Sequence, residues 1–254
     1  MTSRHQYLIA FLVMSLSSAC ASLPPSEARV TATYARTVTI AQRALPAVVT
    51  VVAVASTGDT LGQGSGFVAS RNGVIVTAWH VLCGASRVWV ALRGQEHPEP
   101  ASFAGGDSLA DVALLSIRHA PLRPLSMTSE IPPVGAPVIV VGTPLGLSGT
   151  VTEGILSAVR NPSGRAELQL TAAALPGSSG GPVIDEFGRV FAIVSSGYPF
   201  APGLNFATPL TSVLALVEQL KSSANFAPVP WPLYSVTPMP HISAVPFASC
   251  RGQG

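Results

Sequence analysis

The sequence predicts an all-β fold made of antiparallel barrels or a sandwich. Short runs of apolar and β-branched residues recur along the chain, and each run is bounded by Gly, Pro, Asn or Asp, which is typical of strands joined by tight turns. The chain contains 23 glycines and 23 prolines, a content that suits a turn-rich protein better than a helical one. No long helical pattern separates the runs, so parallel strands connected by helices are not expected.

Residues 1–21 predict an export signal. An apolar core, Tyr7–Leu16, is followed by small residues, and this core is too short to span a bilayer. Ala19-Cys-Ala21 satisfies the Ala-x-Ala rule for cleavage of a soluble exported protein. Ser17-Ser-Ala-Cys20 instead resembles a lipobox, with cleavage before Cys20 and lipid attached to that residue. Both alternatives stay open, and both direct the mature protein to the periplasm or the cell envelope.

The next elements follow in chain order from residue type and spacing. Residues 22–45 are predicted to form a linker and a short helix, Tyr34–Leu45, which ends before Pro46. Apolar residues at i, i+3, i+4 and i+7 predict a helix over Pro209–Ser222. Residues 223–254 form a tail rich in proline. The predicted strands are Ala47–Val54, Gly66–Ser70, Val74–Thr77, Arg87–Leu92, Val112–Ile117, Val138–Gly142, Thr150–Ser157, Leu168–Thr171, Pro182–Ile184, Val190–Ser195 and Asn205–Ala207.

The stretch Leu175-Pro-Gly-Ser-Ser-Gly-Gly-Pro-Val183 carries a candidate nucleophile, Ser179. Acyl transfer needs an exposed hydroxyl on a sharp turn, with backbone N–H groups free to face a developing oxyanion. Gly177 allows such a turn because it lacks a Cβ atom. The alternative is an ordinary Gly/Ser turn between strands. The nucleophile elbow of α/β-hydrolases is rejected, because an apolar strand follows the serine and His241 in the tail is the only later histidine.

Two upstream stretches supply partners for this serine. Val74–Leu82 is an apolar run that ends around His80, and Asp111 directly precedes another apolar strand. The order His80, Asp111, Ser179 is that of the chymotrypsin group and differs from the subtilisin and α/β-hydrolase orders. His97 and His119 lack a partner motif, and Asp107 is interpreted as a solvated turn residue.

Six ordered motifs over roughly residues 40–220 resemble the trypsin-like serine proteases, and most closely their bacterial HtrA (Deg) branch. The motifs are Gly64-Ser-Gly-Phe67, Thr77-Ala-Trp-His-Val81, Asp111-Val-Ala-Leu-Leu115, Gly142-Thr-Pro-Leu-Gly146 with Gly154-Ile-Leu-Ser157, Gly177-Ser-Ser-Gly-Gly-Pro182 and Gly203-Leu-Asn-Phe-Ala-Thr-Pro209. The branch usually has Asn where Ser178 stands and Asp where Ala172 stands. The resemblance ends with the matched region, and no PDZ module is expected in the residues that follow it.

The resemblance implies a protease domain over residues 46–222, made of two six-stranded antiparallel barrels with the active site between them. Barrel one would span about 46–122 and barrel two about 134–208. Residues 123–133 would form the crossing, and a closing helix over 209–222 would complete the second barrel. The same resemblance makes Ser179 the nucleophile, His80 the general base and Asp111 the group that orients His80. The backbone of Gly177, Ser178 and Ser179 would form the oxyanion hole.

The substrate pocket is assigned only through the resemblance. Its base would be Ala173, and its walls would be Ala174, Leu175 and the strand Ser195-Ser196-Gly197. No acidic residue is present in this set to bind Lys or Arg. We therefore expect a preference for small or medium apolar residues, such as Val, Ala or Leu, on the acyl side of the cleaved bond. Ser195-Ser-Gly197 would also offer an edge on which an extended substrate adds as a strand.

The cysteines allow one disulfide bond, and neither their spacing nor the net charge indicates metal or nucleic-acid binding. Once Cys20 is removed or lipidated, Cys83 and Cys250 could pair in an oxidising compartment, and trypsin-like enzymes often carry a disulfide near this histidine. The alternative is a buried free Cys83 and an unpaired tail cysteine. No spacing of Cys and His indicates a metal site, and no cofactor is expected. A net charge of +2 gives no indication of nucleic-acid binding.

The sequence therefore predicts an exported serine endopeptidase that acts on unfolded or extended protein or peptide substrates. The membrane is expected to be contacted only through a lipid at Cys20, and an oligomer is compatible with the sequence. The alternative is a non-catalytic or latent envelope protein that binds peptides in the same cleft.

Overall fold

The computed structural model describes residues 25–118, 122–144, 149–161, 164–197 and 203–222. The predicted export signal, Cys20, His119, the proline-rich tail, His241 and Cys250 lie outside the described residues. Among the described residues, no helix combines the length and the apolar character needed to cross a membrane.

The first six strands close into barrel one. They are β1 (Val48–Val54), β2 (Thr60–Val68), β3 (Val74–Ala78), β4 (Arg87–Leu92), β5 (Glu99–Asp107) and β6 (Val112–Ser116). They pair antiparallel in the order β1-β2-β3-β6-β5-β4, and β1 also pairs with β4 to close the barrel. β3 lies between β2 and β6 and all five of its residues are buried, so the chain that leaves β3 begins from a rigid point.

The remaining strands form barrel two. They are β7 (Ser126–Met127), β8 (Pro137–Gly142), β9 (Thr150–Arg160), β10 (Glu167–Leu170), β11 (Pro182–Ile184), β12 (Arg189–Gly197) and β13 (Asn205–Pro209). The antiparallel order β11-β8-β9-β10-β13-β12 closes because β11 also pairs with β12, while the two-residue β7 adds to β12 in parallel. The predicted fold class, two six-stranded antiparallel barrels, is confirmed.

Apolar packing joins the two barrels. Barrel one is filled around the fully buried Phe67, and its core continues into Ile139, Val141 and Ile193 on the facing strands of barrel two. A second cluster, which includes Phe191, fills barrel two itself. The continuous apolar contact fixes the barrels against each other, so residues at their junction are held on both sides.

The N-terminal helix differs from the prediction. Helix α1 spans Pro25–Ala44 and therefore includes most of the segment that we expected to be a linker. A proline at its first residue, Pro25, does not prevent the helix, because proline is compatible with the first turn, where its missing N–H has no intrahelical partner. Ile40 and Ala44 are buried at the other end of α1, and Arg36 forms an ion pair with Glu186 at 2.6 Å.

The C-terminal helix also differs. β13 continues to Pro209, a 3-10 turn covers Leu210–Ser212, and α2 spans Leu214–Ser222. We expected this helix to close barrel two, but it packs against barrel one. The Asn72 side-chain amide donates to the carbonyl oxygen of Leu220 at 3.2 Å, and a Cβ atom on Gly105 would lie 2.8 Å from the Leu216 side chain. The helix thus crosses back over the first barrel.

Candidate active site

A 3-10 turn, Trp79–Leu82, carries His80 out of the buried end of β3. The His80 backbone N–H donates to Asp111 Oδ1 at 2.8 Å, and His80 Nδ1 lies 2.7 Å from Asp111 Oδ2. A carboxylate can only accept, so the neutral imidazole carries its proton on Nδ1. This tautomer leaves His80 Nε2 as an acceptor, which is the form required of a general base.

A tight turn between β5 and β6 presents Asp111. Asp111 has φ 57°, the one positive value found for a non-glycine residue in the described part of the chain. Aspartate tolerates this left-handed conformation better than most residues, and such conformations are concentrated at functional sites. Asp107 Oδ1 accepts from the N–H groups of Leu109 and Ala110 at 3.0 Å each. Asp107 therefore shapes the turn, while Asp111 binds His80.

The environment of His80 changes its pKa in two opposing ways. Burial lowers the pKa, whereas the charge of Asp111 and its hydrogen bond raise it, and the net direction is upward from 6.5. The imidazole is still about one-third exposed, with 32% of its side-chain surface accessible. A proton can therefore reach solvent or substrate from the free side of the ring.

A type II turn precedes Ser179. Ser178 N–H donates to the Leu175 carbonyl oxygen at 2.8 Å, and Gly177 at the third position of the turn has φ 93°. Proline at the second position and glycine at the third are the residues that this turn type prefers, and here they are Pro176 and Gly177. The sequence thus specifies the local geometry of the loop that presents the candidate nucleophile, Ser179.

Two backbone donors of this loop are available. Within the described residues, the N–H groups of Gly177 and Ser179 donate to no acceptor. The Ser178 N–H, which we also expected in the oxyanion hole, is not available, because it is bonded to the Leu175 carbonyl oxygen. Buried backbone donors are normally paired, and Gly177 and Ser179 are both buried, so this arrangement calls for an external acceptor. A substrate carbonyl that becomes an oxyanion is such an acceptor.

Contacts of Gly180 place Ser179 near His80, where the two barrels meet. A Cβ atom on Gly180 would lie 2.5 Å from Thr77 Oγ1 and 2.6 Å from the Ala78 backbone nitrogen, so the chain just after Ser179 contacts the end of β3 just before His80. No hydrogen bond joins the Ser179 hydroxyl to His80 in the described part of the chain. The hydrogen bond between a nucleophile and its base often tightens only in the complex with substrate, so both residues stay candidates for these roles.

The residues predicted for the substrate pocket lie on two facing segments. Ala173 is exposed, Ala174 is half-buried and Leu175 is 51% exposed. Ser195–Gly197 form the end of β12, and a Cβ atom on Gly197 would lie 2.7 Å from the Ala174 carbonyl oxygen. The fold therefore brings Gly197 against Ala174, as a shared pocket wall requires.

Sequence reasoning missed Asn205, which lies between these segments. It is 6% exposed, and its Nδ2 donates to the Ala172 carbonyl oxygen at 2.9 Å. Its Oδ1 would lie 2.7 Å from a Cβ atom on Gly197, and no described residue donates to it. The motif Gly203–Pro209 was noted for its resemblance, but only the pairing of Gly197 with Asn205 places this side chain beside the pocket.

The remaining candidates have simpler positions. Ser178 is 4% exposed and forms no hydrogen bond with His80 among the described residues. His97 is exposed. Cys83 ends the 3-10 turn of His80 and is disulfide-bonded, while its predicted partner Cys250 lies outside the described residues. No group of three or more His, Cys, Asp or Glu side chains in the described part of the chain could hold a metal ion.

Comparison with known sequences gives a consistent result. A family model for the trypsin-like peptidase domain matches residues 64–193. Protease Do-like 1 of Arabidopsis thaliana chloroplasts is 37% identical over 174 residues, which is 63% of this chain and 39% of that protein. The probable periplasmic serine endoprotease DegP-like of Hahella chejuensis is 35% identical over 174 residues, which is 65% of this chain and 37% of that protein. The chain thus spans less than half the length of these relatives.

Two solved structures extend the similarity to three dimensions. The serine endoprotease of Yersinia pestis superposes with a TM-score of 0.64 and 30% identity, covering 79% of this chain and 68% of that one. An HtrA-type protease solved with a tripeptide gives a TM-score of 0.66 and 29% identity, covering 73% of this chain and 64% of that one.

Proposed function

Because this chain belongs to the trypsin-like peptidase family, with relatives of the HtrA and DegP type, we propose that it is an exported serine endopeptidase acting through an acyl-enzyme on Ser179. One observation carries the proposal. The His80–Asp111 pair is held at the same junction as a serine loop in which the N–H groups of two buried residues, Gly177 and Ser179, have no acceptor among the described residues.

The geometry supports a two-step hydrolysis. Ser179 Oγ attacks the substrate carbonyl carbon while His80 Nε2 takes the hydroxyl proton, and Asp111 stabilises the resulting imidazolium. The oxyanion accepts hydrogen bonds from the N–H groups of Gly177 and Ser179. His80 then gives the proton to the departing amine as the carbon–nitrogen bond breaks. Water repeats the sequence on the ester and releases the acid product and free Ser179.

The end of β12 supports binding of an extended substrate. Val194 exchanges hydrogen bonds with Gly180 and Gly181, at 2.8 and 2.9 Å, directly beyond the nucleophile. β11 pairs with β12 only as far as Ile193, so Ser195–Gly197 have no strand on that side among the described residues. An unfolded or extended peptide can add there as a strand and lead its carbonyl to Ser179.

The proposed pocket favours small apolar side chains, and this gives a prediction. Ala173 and Ala174 provide no negative charge, and Asn205 occupies the space beside Gly197. We expect kcat/KM to be at least about 100-fold higher for peptides with Ala, Val or Leu on the acyl side than for matched peptides with Lys or Arg, because a cation would be desolvated without a partner. The measurement is a peptide series with constant flanking residues. Equal or better cleavage after Lys would contradict the proposed pocket.

Export and the disulfide are proposed together. Residues 1–21 are the proposed signal, and the periplasmic DegP-like relatives support an envelope location. The chain has three cysteines, and the proposed signal would remove Cys20 or leave it lipidated, so we propose Cys250 as the partner of Cys83. Non-reducing peptide mapping of the mature secreted protein should find a Cys83–Cys250 peptide and an N-terminus at or just after Cys20. A Cys83 that alkylates without reduction would contradict this pairing.

Hydrolysis tests the proposed function directly. Purified mature protein should degrade an unfolded protein such as reduced casein, while Ser179→Ala should not. The alternative is a non-catalytic envelope protein that binds peptides in the same cleft. Peptide binding with no hydrolysis by folded wild-type protein would support that alternative and overturn the enzymatic proposal.

A further inference from the structure

Two predicted motifs contain polar residues that the triad does not use. Ser65 belongs to the Gly64–Phe67 motif on β2 of barrel one, and Thr143 follows β8 of barrel two. Their exposed fractions are 0% and 1%. Buried hydroxyl groups are stabilising only when they are hydrogen-bonded, so the partners of these two side chains indicate what they hold in place.

The Ser65 hydroxyl connects the two barrels to the serine loop. Ser65 Oγ donates to the Gly177 carbonyl oxygen at 2.6 Å. It accepts from the Thr143 backbone N–H at 2.9 Å, and Thr143 Oγ1 lies 3.2 Å away as a further partner. The Ser65 hydroxyl therefore uses its one proton on Gly177 and a lone pair on the Thr143 N–H, while Thr143 Oγ1 also lies 3.4 Å from the Gly64 carbonyl oxygen, to which it can donate.

The backbone of Ser65 holds the other side of the same loop. Ser65 N–H donates to the Ser179 carbonyl oxygen at 2.7 Å, and the Ser65 carbonyl oxygen accepts from Thr77 Oγ1 at 2.7 Å. One residue thus contacts the carbonyl groups on both sides of Ser178. The Gly177 carbonyl lies between the two N–H groups that have no acceptor among the described residues, those of Gly177 and Ser179, and the Ser179 carbonyl follows the second of them.

Glycines in the same motifs make this close approach possible. A Cβ atom on Gly142 would lie 3.3 Å from both Ser65 Oγ and Ser178 Cα, and a Cβ atom on Gly180 would lie 2.3 Å from the Ser65 carbonyl oxygen. Side chains at these positions would push the barrels and the serine loop apart. The glycines and Ser65 therefore form a single packed junction beneath the nucleophile.

We propose that Ser65, held by Thr143, is a positioning residue that fixes the serine loop so that the N–H groups of Gly177 and Ser179 point together at the oxyanion. This inference rests on the proposed peptidase function and names a residue that the triad does not include. Without the hydroxyl, the Gly177 carbonyl loses its donor, and within the described residues the Gly177–Ser178 peptide is held only by the bond from Ser178 N–H to the Leu175 carbonyl oxygen. This peptide lies between the two proposed oxyanion donors, so its rotation changes the angle between the N–H groups of Gly177 and Ser179. The charge on the substrate oxygen is greatest in the transition state. Removing the Ser65 hydroxyl should therefore lower kcat and leave substrate binding largely unchanged.

Ser65→Ala tests the inference, with Ser70→Ala as the matched control. Ser70 is another buried serine, 3% exposed, but its hydroxyl is bonded to Asn72 and accepts from Val74 N–H in the turn after β2. Active sites are titrated with a fluorophosphonate so that kcat refers to reactive enzyme only. We expect Ser65→Ala to lower kcat about 10- to 100-fold with KM changed less than about twofold. Ser70→Ala should keep kcat within about twofold.

A transition-state analogue provides a second measurement, because its inhibition constant would not change if Ser65 had only a structural role. A peptidyl trifluoromethyl ketone forms a hemiketal whose oxyanion occupies the same hole. Its inhibition constant should rise in Ser65→Ala by about the same factor by which kcat falls, while KM stays constant. An unchanged kcat and inhibition constant in Ser65→Ala would overturn the positioning role without affecting the peptidase proposal.

Thr143 supplies the conservative comparison if Ser65→Ala fails to fold. Thr143→Ser retains the hydroxyl beside Ser65 and should keep kcat within about threefold, whereas Thr143→Val should lower it further. Equal kcat in both variants would overturn the role of the Thr143 hydroxyl. A folded wild-type protein that neither reacts with the fluorophosphonate nor cleaves peptides would overturn the positioning role and the peptidase proposal together.

Discussion

Replacing Ser179 by alanine is expected to lower kcat for a peptide substrate by about 10⁴- to 10⁶-fold. The substitution removes the atom that forms the acyl-enzyme, and no other described hydroxyl is held in the same position. Residual hydrolysis would come from water activated by His80 and from the intact oxyanion donors of Gly177 and Ser179. The measurement is kcat on a fluorogenic peptide, with the loss expected in kcat and with substrate binding retained.

Ser178→Ala is the control for this prediction, because it removes the neighbouring hydroxyl from the same loop. Ser178 is buried and forms no hydrogen bond with His80 among the described residues, so the variant should retain kcat within about tenfold. If Ser178→Ala were inactive and Ser179→Ala active, the assignment of the nucleophile would be wrong.

Asp111→Asn is expected to lower kcat about 10⁴-fold and to shift its pH dependence. The asparagine amide cannot accept from both His80 groups, so the imidazole loses its fixed tautomer. Burial lowers the pKa of His80, while the charge and the hydrogen bond of Asp111 raise it, and the net shift is upward. Since His80 must be neutral to act as a base, wild-type kcat/KM should rise with pH to a midpoint above 6.5, and this midpoint should fall in Asp111→Asn.

Asp107→Asn is the matched control, because it changes a second aspartate of the same turn. Its remaining side-chain oxygen can still accept from the N–H groups of Leu109 and Ala110, and no described contact joins it to His80. Its kcat and its pH midpoint should equal those of wild type. A midpoint that stays in place in Asp111→Asn would contradict the cause assigned to the raised pKa of His80.

The proposed catalytic groups could be predicted from the sequence because each has a local signal. His80 ends an apolar strand, Asp111 begins one, and Ser179 lies in a Gly/Ser turn whose Pro176-Gly177 pair specifies a type II geometry. Their chain order then distinguishes one protease architecture from others. The structure brings the His80–Asp111 pair together as this reasoning expects.

Strand β5 shows what local patterns do not reveal. Glu99–Asp107 contains a proline and two adjacent glycines, which are unfavourable in strands, and it was not predicted. Its pairing with β4 and β6 closes the barrel and overrides those preferences. Gly106 is needed there, because a Cβ atom would lie 3.2 Å from the Trp79 ring and 2.5 Å from the Val112 carbonyl oxygen.

The roles of Ser65 and Asn205 also required the folded chain. Both occur in motifs that resemble the family, but their partners are distant in sequence. Ser65 contacts Gly177 across the barrel junction, and Asn205 contacts Ala172 across the pocket walls. Residue type and spacing do not specify contacts of this kind, because they arise from the packing of separate strands.

The most direct test of the central claim is fluorophosphonate labelling of folded, mature wild-type protein, with the modified residue located by mass spectrometry. In this reaction the Ser179 oxygen displaces fluoride from phosphorus while His80 takes the hydroxyl proton, so labelling needs an assembled nucleophile and base. We expect a single label on Ser179 that disappears in Ser179→Ala and in His80→Ala. A folded wild-type protein that acquires no label, or a label on Ser178 instead, would contradict the assignment of this chain as a serine peptidase acting through Ser179.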